Sequence, residues 1–235
     1  MELGRFLVVI PARAGSKGLP GKNSKMLCGK PLVAYTIEAA LGVFSKAQIC
    51  VSTDDPSVID IAESYGLEVP FVRPSHLASD TASTQEVLIH AQQYYQSIGA
   101  PYDVICLLQP TSPFRNATHL RESLAQFFAL AQIDMLVSVC ESKANPYFNL
   151  MEEQANGMLV KSKAANFVTR QTVPKVYELN GAIYLISVAS LLSKPIAQFE
   201  TIAKYVMSKE DSIDIDDQKD WDYATYLIEN GKQGH

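Results

Sequence analysis

Short β-branched apolar runs alternate along this chain with longer stretches whose apolar residues recur every three or four positions. Phe6-Leu7-Val8-Val9-Ile10 has no polar position at all, the pattern of a strand covered on both faces. Further strands are predicted over 48–52, 104–108, 134–140 and 181–187. Helical spacing predicts helices over 31–41, 56–65, 83–97, 117–129 and 218–230. Their ends carry matching signals. Pro31 and Pro56 stand in first turns, where a missing N–H is not felt, and Gly66 follows the second helix. Ser83 with Glu86 three residues on can make a capping box. Strands and helices in alternation require crossover connections, so the predicted fold is α/β and Rossmann-like, a mostly parallel sheet with helices on both faces.

Residues 141–175 break the rhythm with Asn145-Pro146, Asn156-Gly157 and Pro174, and their apolar residues are sparse. Asn156-Gly157 between two apolar patches predicts a hairpin. The segment is too small for a domain and reads as an inserted arm suited to contact with a second subunit, so a homodimer is expected. With no linker or internal repeat, residues 1–235 read as a single domain.

Composition narrows the partners. At 235 residues with 47% apolar and 19% charged residues, the chain can bury a substantial core. A net charge of −5 and no basic run disfavour nucleic acid, while a small anionic substrate held by one basic loop stays open. No apolar stretch is long enough to span a membrane, and Met1-Glu2-Leu3 does not begin like a secretory signal. Cys50, Cys106 and Cys140 sit in or beside apolar runs, and the histidines lack ligand spacing. Reduced structural thiols in a cytoplasmic protein are therefore expected.

The candidate chemistry starts directly after the first strand, in Ile10-Pro11-Ala12-Arg13-Ala14-Gly15-Ser16-Lys17-Gly18-Leu19-Pro20-Gly21-Lys22-Asn23. Gly15, Gly18 and Gly21 are expected to turn through positive φ and admit a ligand close to the backbone. Arg13, Lys17 and Lys22 put three cations at the carboxyl edge of the sheet, where open α/β folds bind ligands. Backbone N–H groups with Lys and Arg suit a triphosphate. The spacing matches neither the Gly-x4-Gly-Lys-Ser/Thr loop nor the Gly-x-Gly-x-x-Gly fingerprint.

At this loop the chain resembles the acylneuraminate cytidylyltransferases, which make CMP-activated sialic and related nonulosonic acids. The resemblance recurs in Val51-Ser52-Thr53-Asp54-Asp55, in 77–83, in 107–115, in Asn180-Gly181-Ala182-Ile183-Tyr184 and in 211–216. It implies a three-layer nucleotide-diphospho-sugar transferase fold. It also implies that Ala12, Arg13, Gly15, Ser16, Lys17, Lys22, Asn23, Arg73 and Ser83 hold CTP. Gln109, Arg170, Asn180 and Tyr184 would then hold the acidic nine-carbon sugar, Arg170 from this or a neighbouring subunit. Tyr184 has a second reading as core, and Thr111 and Ser112 a second reading as a self-bonded turn.

Asp214 and Asp216 alternate with Ile213 and Ile215, so the two carboxylates share one side. Such a pair can hold Mg²⁺ beside phosphate oxygens, and the resemblance assigns them that role. Asp217 is better explained as a helix cap, as is Asp55 before Pro56. The implied reaction is attack by the sugar's anomeric hydroxyl on the α-phosphate of CTP, with Arg13, Lys17, Asp214 and Asp216 as the catalytic set. Glu178, and aromatic or amide residues where some relatives carry basic ones, leave the sugar open among sialic, pseudaminic and legionaminic types, with N-acetylneuraminate itself not singled out. An eight-carbon-sugar cytidylyltransferase and a catalytically silent nucleotide-sugar binder are the alternatives.

Overall fold

A computed structural model describes residues 5–15, 18–164, 166–167 and 169–231. In chain order it has β1 (Phe6–Pro11), β2 (Met26–Leu27), β3 (Lys30–Pro31), α1 (Leu32–Leu41), β4 (Ile49–Ser52), α2 (Pro56–Ser64), α3 (Thr84–Ser97), β5 (Val104–Leu107), α4 (Ala117–Ala129) and β6 (Met135–Glu141). After these come β7 (Met151–Glu153), β8 (Leu159–Lys161), β9 (Tyr177–Ser187), α5 (Val188–Ser193), β10 (Ile202–Val206) and α6 (Gln218–Glu229). Three of the expected caps form. Ser83 and Glu86 close a capping box on α3, Asp55 accepts from Ser57 N on α2, and Asp217 caps α6.

The main sheet has the order β10-β6-β9-β5-β1-β4, with β9 antiparallel to both neighbours and the other pairings parallel. Alternation along β1 feeds two cores. Phe6, Val8 and Ile10 pack with α1, α2 and α4 on one face, whereas Leu7 and Val9 pack with α3 and α5 on the other. A third cluster of Leu19, Leu27, Leu32, Phe114, Ile215 and Trp221 joins the first loop, the turn after β5 and α6. This last cluster draws together segments far apart in sequence at the carboxyl edge of the sheet.

β9 starts at Tyr177 rather than at Gly181, and α5 and β10 go beyond the sequence expectation. α5 is too short for helical periodicity to show. β10 is an edge strand with mostly exposed residues, so it lacks a continuous apolar run. Met151–Glu153 and Leu159–Lys161 do form the expected hairpin, separate from the main sheet.

Asp134, just before β6, ties this edge together. Its carboxylate accepts from Ser190 Oγ at 2.7 Å, Glu200 N at 2.9 Å and Thr201 N at 3.1 Å, with Lys194 Nζ at 3.1 Å. These bonds, the one from Ser190 foremost, hold its pKa well below the usual carboxylate range. A depressed pKa contributes stability above the ordinary value of about 4, and that stability drains away as pH falls further. Asp134→Asn should therefore lower Tm at pH 7, and the gap from the unaltered chain should close in thermal melts below about pH 4. A gap that is independent of pH would show that the charge contributes nothing there.

Candidate active site

A cavity of about 500 Å³ opens at the carboxyl ends of β1, β4 and β5. Its walls include Arg13, Gly18, Lys22, Asn23, Arg73, Gln109, Asp214 and Asp216, with Leu77, Ser79, Asp80, Ala82 and Thr84 on one flank. The structure thus brings together the basic loop, Arg73, Gln109 and the two aspartates, as the sequence reading expects. Ser16 and Lys17 lie outside the described residues, as does the side chain of Arg170.

The basic loop is held from several directions. Asn23, almost fully buried, donates from Nδ2 to Arg13 O at 3.1 Å, and Asp54 Oδ1 accepts from Ala14 N at 2.9 Å. Asn23 thus braces the wall against which a ligand would lie. Of the loop's described glycines only Gly21 has positive φ, at 67°. Gly18 is required for a different reason: a Cβ there would stand 2.0 Å from Asp216 O. Loop and C-terminal segment touch backbone to backbone, and Lys22 Nζ completes the seam with Ile215 O at 2.7 Å and Asp216 Oδ1 at 3.2 Å.

The opposite flank is positioned by buried cations. Arg73 donates to Ser52 Oγ at 3.1 Å and to Ser52 O at the end of β4, and burial lowers its pKa to about 10. Arg115 is fully buried and donates to Gln109 O at 3.1 Å and Ala182 O at 2.9 Å, clamping the turn after β5 to β9. Burial lowers its pKa to about 10 as well. Arg13 reaches across the mouth to Asp80 Oδ1 at 2.5 Å. Asp80 and Arg115 escaped the sequence reading, because no periodicity or spacing marks a residue whose role is to brace another.

A bulge shapes the far wall. Val139 pairs with Leu179 and Val137 with Tyr184, so Asn180, Gly181, Ala182 and Ile183 face Ser138 alone. Gly181 has φ of 73°, and a Cβ there would lie 2.8 Å from Gln109 Oε1 and 3.4 Å from Asp214 Oδ2. The bulge thereby brings bare backbone to the point where Gln109 and Asp214 converge.

Asn180 and Tyr184 are not among the residues that line the cavity, although Tyr184 is near enough to Asp214 for that charge to add to burial in raising the Tyr184 pKa. Asn180 accepts from Ser138 Oγ at 2.6 Å and donates to Ser212 Oγ at 2.8 Å, stapling β6 and β9 to the C-terminal segment. Tyr184 packs against the α3-side core. The hydroxyl of Ser83 is engaged in its capping box, while its neighbours Ala82 and Thr84 line the cavity. Ala12 is buried and Gly15 exposed, and neither lines the cavity.

Asp214 and Asp216 lie on an extended segment outside any strand. Ile215 between them is buried, and its N–H donates to Thr111 O at 2.8 Å. Asp214 is half-buried. Its Oδ1 has no hydrogen-bond partner among the described residues. Burial raises its pKa, against a hydrogen bond with Thr111, and the nearby Asp216 charge raises it further. Asp216 is exposed at the cavity wall. A buried carboxylate oxygen without a partner, next to a second carboxylate, fits a hard divalent cation that takes its remaining ligands from water and phosphate.

Residues 7–233 match the family model described as Cytidylyltransferase. The chain is 36% identical to a CMP-N,N'-diacetyllegionaminic acid synthase of Legionella pneumophila, over 96% of this chain and 97% of that one. It is 37% identical to an N-acylneuraminate cytidylyltransferase of Escherichia coli, over 94% of this chain and 51% of that longer protein. A CMP:2-keto-3-deoxy-manno-octonic acid synthetase solved with CTP shares the fold, with TM-score 0.70 at 19% identity over 96% of this chain and 99% of that one.

Proposed function

The chain belongs to the cytidylyltransferase family, and we propose from that premise that it transfers CMP from CTP to the anomeric hydroxyl of a nonulosonic acid and releases pyrophosphate. The observation that carries this reading is the convergence of Arg13, Lys22 and Arg73 with Asp214 and Asp216 around one cavity. Relatives at 36% and 37% identity are named for CMP transfer to nine-carbon acids of this class.

The mechanism follows from what the walls can do. Arg13 and Lys22 offer charge to phosphate oxygens, and Arg73 with the 77–84 flank encloses the nucleoside end. Asp214 and Asp216 would hold Mg²⁺, which when bound neutralises charge that builds on the phosphates. Gln109, whose carbonyl accepts from Arg115 and whose side chain lies against the bare backbone of Gly181, orients the acceptor sugar. Burial and fixed dipoles supply positioning, and the reaction needs no protein nucleophile. A panel of eight- and nine-carbon keto acids with CTP and Mg²⁺ tests the reading. Pyrophosphate should appear with a nonulosonic acid. Release only with the eight-carbon acid, or none despite CTP binding, would overturn it.

The functional protein is a homodimer joined through the arm. Met158 and Leu159 on the hairpin are 63% and 62% exposed, with Leu150 and Met151 exposed beside them. A two-stranded hairpin is marginal alone and gains stability by burying such a face. Leu159→Asp should convert the dimer to monomer in sedimentation; a monomeric unaltered chain would remove the arm from this role. No helix among the described residues is long and apolar enough to cross a membrane. The described cysteines are all free, in keeping with a reducing, cytoplasmic setting.

A further inference from the structure

Asp216, the exposed member of the aspartate pair, sits on a segment that belongs to no strand among the described residues, so no ladder fixes its backbone. Other contacts do so. Its carbonyl lies against Gly18, and the residue before it, Ile215, donates its N–H to Thr111 O at 2.8 Å. The N–H of Asp216 itself donates to a carboxylate, Asp220 Oδ2, at 3.0 Å. The same oxygen accepts from Asp217 N, also at 3.0 Å. Asp220 is the third residue of α6 and Asp217 is its N-cap, so the bond from Asp217 is the one a capping box calls for. The bond from Asp216 arrives one residue too early to belong to that box. Asp220 therefore serves the helix with one bond and the cavity wall with the other.

Its charge points the same way. Burial and then the Asp216 charge raise the pKa of Asp214, and the Asp220 charge adds to them. A neutral glutamine closes a capping box as readily as an acid, so the helix gives no reason to gather a third carboxylate beside two others. A divalent ion does give one, because its charge offsets the repulsion that the three carboxylates build up. An exposed carboxylate also loses freedom when it takes up an ion, and that cost is smaller when its backbone is already fixed.

We propose that Asp220 is a positioning residue for the metal pair: its carboxylate holds the backbone of Asp216 so that the Asp216 side chain is presented to the divalent ion beside Asp214. The assignment rests on the metal-dependent reading above. Asp220 acts through Asp216 and is not itself a ligand.

The test titrates Mn²⁺ into the full chain, with and without CTP, and follows the free ion by electron paramagnetic resonance. It compares the unaltered protein with Asp220→Ala, Asp220→Asn and Asp217→Ala. Asp220→Ala should weaken Mn²⁺ binding about tenfold or more, the usual scale for losing a group that orients a ligand. Asp220→Asn keeps an acceptor oxygen without the charge and should recover all but about threefold, since a charge this near solvent is largely screened. Asp217→Ala removes the acceptor for Lys219 N and Asp220 N but spares the bond to Asp216 N, so it frays the same helix and serves as the control. It should lower Tm about as much as Asp220→Ala while Mn²⁺ affinity stays within about twofold. In the pyrophosphate assay, the Mg²⁺ concentration for half-maximal rate should rise for Asp220→Ala in step with the loss of Mn²⁺ affinity. Unchanged Mn²⁺ binding in Asp220→Ala, or an equal loss in Asp217→Ala, would reduce Asp220 to a helix cap and overturn the assignment while the activity stands. If the unaltered chain holds no Mn²⁺ with or without CTP, the metal reading fails and this assignment with it.

Discussion

Asp214→Asn should abolish turnover, by about a thousandfold or more, while the protein melts at or above the temperature of the unaltered chain at pH 7. Asp214 is half-buried, its Oδ1 has no partner among the described residues, and Asp216 lies close enough to raise its pKa further. A carboxyl whose folded pKa is raised adds stability only below its ordinary pKa, and that contribution is lost as pH climbs through the raised value. At neutral pH and without a divalent ion the charge is therefore a burden on the fold. Asparagine keeps the shape and removes the charge, so activity and stability should move in opposite directions. Thermal melts beside a pyrophosphate assay check both. A variant that loses stability together with activity would make Asp214 a structural group.

Gly18→Ala is the second large effect, and it separates loop geometry from loop charge. The added methyl would lie 2.0 Å from the carbonyl oxygen of Asp216, so the loop and the C-terminal segment must part. Lys22 loses its hold on Ile215 O and Asp216 Oδ1, although no cation has been removed. Misplacing a catalytic wall by about 1 Å can lower the rate about a hundredfold, and we expect a fall of that size. The seam borders the third cluster, where Leu19 packs with Ile215 and Trp221, so Tm should fall as well, while Asn23 and the two main cores stay in place. Near-normal kcat would mean that the contact between the two segments does not matter to the chemistry.

The parts of the fold that could be read in advance are those whose burial repeats along the chain. β1 and β5 carry unbroken apolar runs, β4 and β6 runs broken or ended only by serine or glutamate, and α1 to α4 and α6 carry helical spacing, so their bounds came within a residue. β10 and α5 carry no such repeat, being respectively an exposed edge and a single short turn of helix. The site was legible where charge and glycine cluster in one stretch, as in Arg13 to Asn23. It was illegible where one residue acts through another. Gly18 was expected to supply positive φ, yet it is needed because Asp216 passes against it. The bonds that Asn180 makes to Ser138 and Ser212 were equally invisible in the sequence. Contacts between positions so distant in sequence leave no local pattern.

The most direct test is a crystal structure of the chain with CTP and Mg²⁺. The triphosphate should lie along the loop bearing Arg13 and Lys22, the cytosine should point toward Arg73 and the 77–84 flank, and the ion should touch both Asp214 and Asp216. A nucleotide bound elsewhere, or an ion held away from these two aspartates, would contradict the account.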